Sequence, residues 1–442
     1  SLTVTPTTAT AYGSAVALGV AVTAPGTPAV PSGTVTIYDG STVLIAVVLQ
    51  PDGTATTSQV LPAGRHDLRA EYAGPAGFAP STSSTVHHDV DRARTTTGLS
   101  VGASSSVTGE LVSLTASVDN GDSSPVPVGS VTFRDGTQVL GTVAVDGTGT
   151  ARLDTRAIAV GSRTLTASFS GGADFAPSTS AGLAHRVDPA DVVVTVTATP
   201  TRSWFGSLVV IDATVAAAAP GTGLPTGTVT FRDGPTALGT VALDGNGRAS
   251  LSTYAIGVRE RTLAADYAGN GSYRAGTGTT VQTVDADGTS VAVFSSEPDQ
   301  RYGRPVELTA AVSGSGSAVP TGSVTFAGAG RTLGVAPLDA TGRARITVND
   351  LPVGSTLVTA AYAGDGNFTA GSGTVIQQVA AGPTATALVV TPTSPTVADL
   401  VTVAARVTAP GAALVPAGSI EFTDNGAVLA TVPVDGTGAA SL

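Results

Sequence analysis

A heptapeptide pattern recurs five times along this chain of 442 residues, and the spacing of its copies constrains the fold more than any other feature. The pattern is Pro-x-Gly-[Ser/Thr]-[Val/Ile]-x-[Phe/Ile], and its copies begin at Pro31, Pro127, Pro225, Pro320 and Pro416. The successive steps of 96, 98, 95 and 96 residues are far longer than the roughly 20–50 residues of a solenoid repeat or a propeller blade. They match the size of one small β-sandwich. The sequence therefore predicts a string of similar domains.

The residues between the copies show the period of a β-strand. From Val112 to Val118 apolar and polar residues alternate strictly, as expected for a strand with one buried face. The pairs Asp135-Gly136 and Asp146-Gly147 separate the next apolar runs. They indicate tight hairpin turns, because Gly accepts positive φ at little steric cost. Six or seven short strands per unit, with no helical period, predict an all-β sandwich.

Aromatic residues recur in the same register. Each of four units has two of them six residues apart: Tyr72 and Phe78, Phe169 and Phe175, Tyr267 and Tyr273, Tyr362 and Phe368. We interpret these rings as plugs at the end of a thin core, with carbohydrate stacking as the alternative. Together with Pro-x-Gly-Thr-Val-Thr-Phe and Asp-Gly-x-Gly, the run Tyr-Ala-Gly-x-x-x-Phe makes nearly the whole chain resemble the bacterial immunoglobulin-like repeat family of the group 3 type. The resemblance implies tandem immunoglobulin-like sandwiches that serve surface and secreted proteins as spacer or adhesive modules, usually without catalysis.

The predicted fold is therefore all-β, with tandem immunoglobulin-like β-sandwiches arranged as an extended rod. We place the units at residues 1–91, 92–188, 189–285 and 286–381, followed by a truncated fifth unit at 382–442. The predicted linkers are two to five residues long and contain no Gly/Ser tract, so they offer little slack. The third unit carries two extra residues, which we place around Val258-Arg259-Glu260 and expect to alter one loop.

The fifth unit stops soon after its second Asp-Gly turn, at Asp435-Gly436. Two explanations remain open. Either the biological chain continues beyond Leu442, or a neighbouring chain completes the unit by strand addition. The chain contains no Met, and we expect any signal peptide or anchor to lie outside this segment.

Absent residue types and the net charge exclude several kinds of function. The sequence has no Cys and no Lys, so it offers no disulfide, thiolate nucleophile, Cys-ligated zinc or Schiff-base lysine. The net charge of −11, without a basic cluster, argues against nucleic acid and against anionic membranes. No apolar run approaches the roughly 18–20 residues that a membrane span needs. We predict no membrane insertion in this segment.

We predict no catalytic residue and no cofactor. The only local histidine cluster, His87-His88-Asp89, is interpreted as a solvated strand end rather than a metal site. Calcium at the domain junctions is the one metal alternative, because Asp188 with Asp191 and Asp285 with Asp287 place hard oxygen ligands there. Solvated linker acids are the competing interpretation.

Trp204 is the only tryptophan of the chain and has no counterpart in the other units. It is the one contact residue that the sequence singles out. We expect it at a seam between two domains, and the alternative is a contact with a glycan or a protein. The neighbouring Phe205 occupies the place of Tyr12 and Tyr302, and we expect it to pack in a core or an interface.

The sequence thus predicts a non-catalytic, extracellular structural stalk or spacer of a bacterial surface protein. It would form a segment of a longer adhesin-like chain. Two alternatives remain. One is a subunit of an extracellular filament or surface layer, joined by strand complementation of the fifth unit. The other is an adhesive module that binds glycans or proteins. The predicted partners are neighbouring domains or copies of the same chain, with surface glycans or host proteins as alternatives.

Overall fold

The computed structural model describes residues 1–75, 77–121 and 125–442, and all regular elements in these ranges are β-strands. The strands form four complete two-sheet sandwiches in chain order, followed by a smaller fifth set of strands. The prediction of an all-β chain of immunoglobulin-like sandwiches is confirmed.

The described residues of unit 1 form nine strands in two sheets. They are β1 (Leu2–Thr5), β2 (Thr10–Ala11), β3 (Ala15–Ala21), β4 (Thr34–Asp39), β5 (Thr42–Val48), β6 (Thr54–Val60), β7 (Gly64–Tyr72), β8 (Ser81–Thr82) and β9 (Val86–Asp91). The smaller sheet has the order β1-β3-β6, and the larger has the order β2-β9-β7-β4-β5, with β8 paired to β7. Leu18 of β3 packs with Ile37 of β4 and Leu68 of β7 in one core, which joins the two sheets.

Unit 2 repeats this arrangement. Its strands are β10 (Thr96–Val101), β11 (Ser105–Val107), β12 (Val112–Asp119), β13 (Ser130–Asp135), β14 (Gln138–Ala144), β15 (Thr150–Thr155), β16 (Gly161–Phe169), β17 (Ser178–Thr179) and β18 (Leu183–Asp188). The sheets are β10-β12-β15 and β11-β18-β16-β13-β14, with β17 paired to β16. The alternation read from Val112 to Val118 appears as strand β12, whose apolar side chains are buried.

Units 3 and 4 have eight strands each, because one long final strand replaces two shorter ones. Unit 3 comprises β19 (Val192–Thr199), β20 (Arg202–Trp204), β21 (Val209–Ala217), β22 (Thr228–Asp233), β23 (Thr236–Ala242), β24 (Arg248–Thr253), β25 (Arg259–Tyr267) and β26 (Gly276–Asp285). Unit 4 comprises β27 (Ser290–Ser295), β28 (Asp299–Arg301), β29 (Val306–Ser313), β30 (Ser323–Gly328), β31 (Arg331–Pro337), β32 (Arg343–Val348), β33 (Gly354–Tyr362) and β34 (Gly371–Ala380). Their sheet orders match those of unit 2.

Unit 5 is smaller and has little buried core among the described residues. Its strands are β35 (Ala385–Thr391), β36 (Thr402–Thr408), β37 (Ser419–Asp424), β38 (Ala427–Pro433) and β39 (Ala439–Ser441). They form the sheets β35-β36-β39 and β37-β38. The buried apolar side chains are Ala405, Phe422 and Ala440.

The second Asp turn of each unit is held by its own carboxylate. In unit 2, Asp146 Oδ1 accepts hydrogen bonds from the backbone N–H of Thr148 at 2.8 Å and of Thr150 at 3.0 Å. The hydrogen bond from the Thr148 hydroxyl, with those backbone bonds, lowers the pKa of Asp146. Gly149 follows with φ of 81°, and a Cβ there would lie 2.8 Å from the Val118 carbonyl oxygen. The turn therefore requires both the Asp and the Gly.

Candidate functional site

The contacts between units are built around one turn in each complete unit, which we call the junction turn. It begins at Tyr12, Thr108, Phe205 and Tyr302, directly after the short strands β2, β11, β20 and β28. The backbone N–H of its first residue donates to the carbonyl of a residue near the end of the unit's last strand, such as Asp91 or Asp285. This bond holds the turn at the end of the sandwich from which the chain leaves for the next unit.

The junction between units 1 and 2 combines an aromatic contact with a charge-assisted hydrogen bond. The ring of Tyr12 meets Phe175 of unit 2 edge to face, with centroids 5.3 Å apart. The backbone N–H of Ala63, in the loop before β7, donates to Asp174 Oδ1 of unit 2 at 2.8 Å. Two separate loops of unit 1 thus contact the same loop of unit 2, which restricts rotation at the junction.

The junction between units 3 and 4 uses the same aromatic position. Phe205 meets Phe368 of unit 4 edge to face at a centroid distance of 5.6 Å. Its side chain also packs against the core clusters of both units. Phe205 was expected to pack in a core or an interface, and it packs in both, since it lies at the interface of two units and against the core of each.

The junction between units 2 and 3 has no aromatic in the turn and is built differently. Thr108 occupies that place, and Thr222 of unit 3 donates its N–H to the Thr108 carbonyl at 3.3 Å and its hydroxyl to the Gly109 carbonyl at 2.6 Å. Thr222 lies in the loop between β21 and β22. The stretch from Val215 to Val229 is two residues longer than its equivalent in unit 4, from Val312 to Val324.

That loop holds the extra length of unit 3. The prediction that placed the extra residues around Val258-Arg259-Glu260 was wrong, because β25 is nine residues long, as are the equivalent strands β16 and β33. A loop that adds residues at the sandwich end disturbs no strand register, and here it reaches the neighbouring unit.

The junction between units 4 and 5 is the most open. Tyr302 is 40% exposed, and the Gly303 carbonyl accepts a hydrogen bond from the Ala413 N–H at 2.9 Å. Across all four junctions, each of these contacts joins units that are adjacent in the sequence.

Trp204 lies at the end of β20, beside Phe205, and 56% of its surface is exposed. It pairs in parallel register with Asp285 of β26. The structure therefore places Trp204 next to the junction between units 3 and 4, with a large part of its indole facing solvent. Its role as a contact residue stays a prediction.

The aspartates considered for calcium are engaged with other groups. Asp285 accepts two hydrogen bonds from the Arg202 guanidinium, at 2.5 and 3.0 Å, and these lower the pKa of its carboxyl. The Arg186 Nη2 atom lies 2.7 Å from Asp188, and the hydrogen bonding of Arg186 lowers the pKa of Asp188. Asp191 is exposed and pairs with Arg274 at 3.4 Å.

Asp287 is the exception among these four, because it is buried, with 2% of its surface exposed. Its carboxylate accepts hydrogen bonds from the Ser315 backbone N–H and hydroxyl, both at 2.6 Å. It thus fixes the loop after β29 within unit 4. Among the described residues, no group of three or more His, Cys, Asp or Glu side chains could hold a metal ion.

A row of buried polar side chains crosses the four complete units, and the sequence analysis missed it. Each sits two residues before the valine near the end of the last strand, and they are His88, His185, Gln282 and Gln377. In units 1 to 3 the side chain bonds a hydroxyl of the short parallel strand, as in the 2.9 Å contact of His185 Nε2 with Ser106. His88 was expected to be solvated, and it is instead buried against Thr10. His87 is exposed and pairs with Asp67 at 2.5 Å. The fixed offset from the valine could have revealed the row.

The end of unit 1 that faces away from unit 2 carries an open cleft of about 660 Å³, lined by Tyr72, Phe78 and the loop around Pro25. Phe78 is half-buried there, whereas its equivalents Phe175, Tyr273 and Phe368 are buried against a preceding unit or its own loops. The cleft is therefore the counterpart of the surface that other units use at their junctions.

The sandwich topology and its repetition along the chain agree with a comparison against known families. The bacterial Ig-like domain (group 3) matches residues 2–91, 99–188, 196–285 and 293–380, which is more than half of the chain. The chain belongs to the bacterial Ig-like (group 3) family. No curated protein matches this array of Ig-like domains.

Solved structures similar to the Ig-like array share little sequence with it. Fibronectin(III)-like modules of Clostridium thermocellum CbhA are 17% identical, with 42% of this chain and 95% of that chain covered and a TM-score of 0.19. Immunoglobulin domains 1–5 of Sidekick-1 are 14% identical, with 83% and 77% covered and a TM-score of 0.30. An I-band fragment of titin is 12% identical, with 64% and 99% covered and a TM-score of 0.27.

Among the described residues of the Ig-like array, none forms a helix with the length and apolar character that crossing a membrane requires.

Proposed function

We propose that this Ig-like array is a non-catalytic spacer in an extracellular, surface-associated bacterial protein. One observation carries the proposal: the contacts between units join sequence neighbours through the same turn at the same end of each sandwich. Units linked in this way extend away from one another instead of folding back. Such an arrangement sets a distance between whatever lies at its two ends.

The composition and the side-chain pairing support a structural role. Carboxylates near the junctions bind arginines or backbone groups: Asp285 binds Arg202 and Asp287 binds Ser315 within their own units, and Asp174 binds the Ala63 N–H of the preceding unit. Polar groups that are satisfied in this way stabilise loops and leave few groups free for acid–base or metal chemistry. We propose that the array has no enzymatic activity of its own.

Small-angle scattering from residues 1–442 over a concentration series tests the spacer. If each unit is about 35–40 Å long, as strands of eight to ten residues with their loops suggest, the array should have a constant maximum dimension of about 160–200 Å. A compact particle with a maximum dimension below about 100 Å would refute the spacer, because the units would then pack side by side.

A second candidate is a filament subunit, and strand β37 favours it. In units 1 to 4 the equivalent strand pairs with two neighbours, whereas within the described residues β37 pairs only with β38. A strand from a second copy could add to this edge. A maximum dimension that grows with concentration in the same scattering series would support the filament. Loss of that growth when Glu421 of β37, whose backbone groups face away from β38, is replaced by Pro would identify the edge.

A third candidate is adhesion to glycans or proteins, and the exposed Trp204 indole is the observation that favours it. Stacking on a sugar would change Trp204 fluorescence, since no other tryptophan contributes. A glycan array without binders, together with unchanged fluorescence in the presence of oligosaccharides, would argue against this candidate.

A further inference from the structure

The peptide group between Pro62 and Ala63 connects a buried histidine of unit 1 to unit 2. Its carbonyl oxygen lies 2.7 Å from His66 Nε2, and its N–H donates to Asp174 Oδ1 of unit 2 at 2.8 Å. One rigid peptide plane therefore carries both contacts, since rotation about its C–N bond is restricted. A change at His66 that rotates this plane also moves the N–H away from Asp174.

The geometry around His66 requires a doubly protonated ring. Nδ1 lies 2.6 Å from Asp39 Oδ2, and Nε2 faces the Pro62 carbonyl oxygen. Both partners are acceptors, and a neutral imidazole has only one N–H to donate. The side chain is 6% exposed, so water has little access to either nitrogen. In the neutral ring, one nitrogen lone pair would point at an oxygen lone pair.

The charged and titratable groups around His66 come from three strands. They are Asp39 on β4, Arg65, Asp67 and Arg69 on β7 itself, and His87, His88 and Asp89 on β9. Burial works to lower the pKa of His66, and the hydrogen bonds to Asp39 and to the Pro62 carbonyl, with the charges of Asp39 and Asp67, outweigh it and raise the pKa above 6.5. His88 is the cross-strand partner of His66, and its Nε2 contacts the Thr10 hydroxyl at 3.0 Å. His87 is held by Asp67 on the outer face.

The equivalent positions in units 2 and 3 carry permanent cations. Arg163 Nε donates to the Ala159 carbonyl at 2.9 Å and lies 3.6 Å from Asp135. Arg261 Nε donates to Asp233 at 2.7 Å. An arginine keeps its charge at every pH that a protein experiences, whereas a histidine loses it near neutrality. Of these three equivalent cations, only that of unit 1 responds to pH.

We propose that His66 is a protonation-dependent lock on the junction between units 1 and 2. The imidazolium holds the Pro62–Ala63 peptide in the orientation in which its N–H meets Asp174. When the ring loses its proton, the Nε2 lone pair faces the Pro62 carbonyl oxygen and repels it, so the Pro62–Ala63 peptide rotates. The hydrogen bond from Ala63 to Asp174 is then lost, and units 1 and 2 can move relative to each other. The array is stiffer at this junction in mildly acidic conditions than in mildly alkaline ones.

The direction in which the stiffness of the junction changes with pH follows from proton linkage. A pKa raised in the locked state means that the stabilising contribution is complete below the ordinary value of 6.5 and is lost as the pH rises through the raised pKa. For each pKa unit by which locking raises the pKa of His66, the ratio of locked to unlocked junctions falls about tenfold between the two pH limits.

Distances between two spin labels test the lock in the full chain. The protein has no Cys, so cysteines introduced at the exposed positions Ser58 and Thr137 are unique labelling sites in units 1 and 2. We expect a narrow distance distribution at about pH 5.5 and a broad one at about pH 8.5, on the two sides of the histidine range. The midpoint should coincide with the ring titration of His66 followed by NMR.

Three variants separate the lock from general effects of pH. His66→Arg, which copies units 2 and 3, should give a narrow distribution at both pH values, and Asp174→Ala should give a broad one at both. His87→Gln, which changes the exposed neighbour, should leave the transition in place. A distribution whose width is the same at both pH values in the unsubstituted chain would overturn the proposal. So would a His66→Arg chain that still broadens at high pH.

Discussion

Replacing Phe205 by Ala should uncouple units 3 and 4. The ring is half-buried between two cores and meets Phe368 edge to face at 5.6 Å. Burying a whole Phe side chain contributes about 1.5–3 kcal/mol, and because part of the Phe205 ring stays exposed we take the lower end of that range. The edge-to-face pair adds about 0.5–1.5 kcal/mol. We therefore expect Phe205→Ala to lower the free energy of unfolding at this junction by about 2 kcal/mol.

The assay uses a probe that the chain already contains. Trp204 is the only tryptophan and adjoins Phe205, so its fluorescence in a urea titration reports on unit 3 and its junction. The midpoint should shift to lower urea with little change in slope, because the surface exposed on unfolding barely changes. Tyr302→Ala is the matched control, since Tyr302 holds the equivalent place at the next junction.

The control should leave the Trp204 transition unchanged. The reasoning would be refuted if Phe205→Ala shifted the midpoint no more than Tyr302→Ala does. A shift with a much smaller slope would show instead that the substitution had loosened unit 3 itself.

Two further predictions concern unit 4. Burial tends to raise the pKa of Asp365, but hydrogen bonds from one hydroxyl and three backbone N–H groups outweigh it and lower the pKa to about 2. The ionised Asp365 carboxylate therefore adds about 2 kcal/mol to the free energy of unfolding above pH 3.8, and this stabilisation is lost as the pH falls toward 2. Asp365→Asn should make the unfolding of this unit by acid less steep in pH. An unchanged acid unfolding curve would contradict the role given to Asp365. Gly373→Ala should destabilise unit 4 by about 3 kcal/mol, because a Cβ would lie 2.0 Å from the Val291 carbonyl oxygen. Gly366→Ala meets nothing within 4 Å and should be neutral in the same thermal melt.

The sequence was sufficient for the strands and the tight turns because both depend on neighbouring residues. Alternation from Val112 to Val118 depends on the two-residue period of a strand, and the turn at Asp146 depends on bonds within four residues. The equivalence of Tyr12, Phe205 and Tyr302 was also visible, because the repeat fixes their register.

Features that depend on pairing across the sheet could not be read in the same way. His88 is buried because it faces Thr10, 78 residues away in the sequence, and its neighbour His87 gives no sign of this. The extra length of unit 3 was misplaced because a length difference between repeats does not say which loop holds it. The contact between Thr222 and unit 2, which the sequence does not show, reveals that the loop between β21 and β22 holds these residues.

The parallel strand pairs have a consequence for the response of the array to tension. In each complete unit a short strand near the start runs parallel to the last strand, as β11 does with β18 through three residue pairs. Pulling on the two ends of a unit drags these strands in opposite directions along a shared axis. Their hydrogen bonds are then loaded together, in shear, and must fail at once.

Unit 1 has only two such pairs, between β2 and β9, and the described strands of unit 5 pair only in antiparallel fashion. Antiparallel strands joined by a hairpin can open one bond at a time. Forced unfolding follows the rate of crossing this barrier rather than equilibrium stability. Under a steady pull unit 1 should therefore unfold before units 2 to 4, each of which has three such pairs.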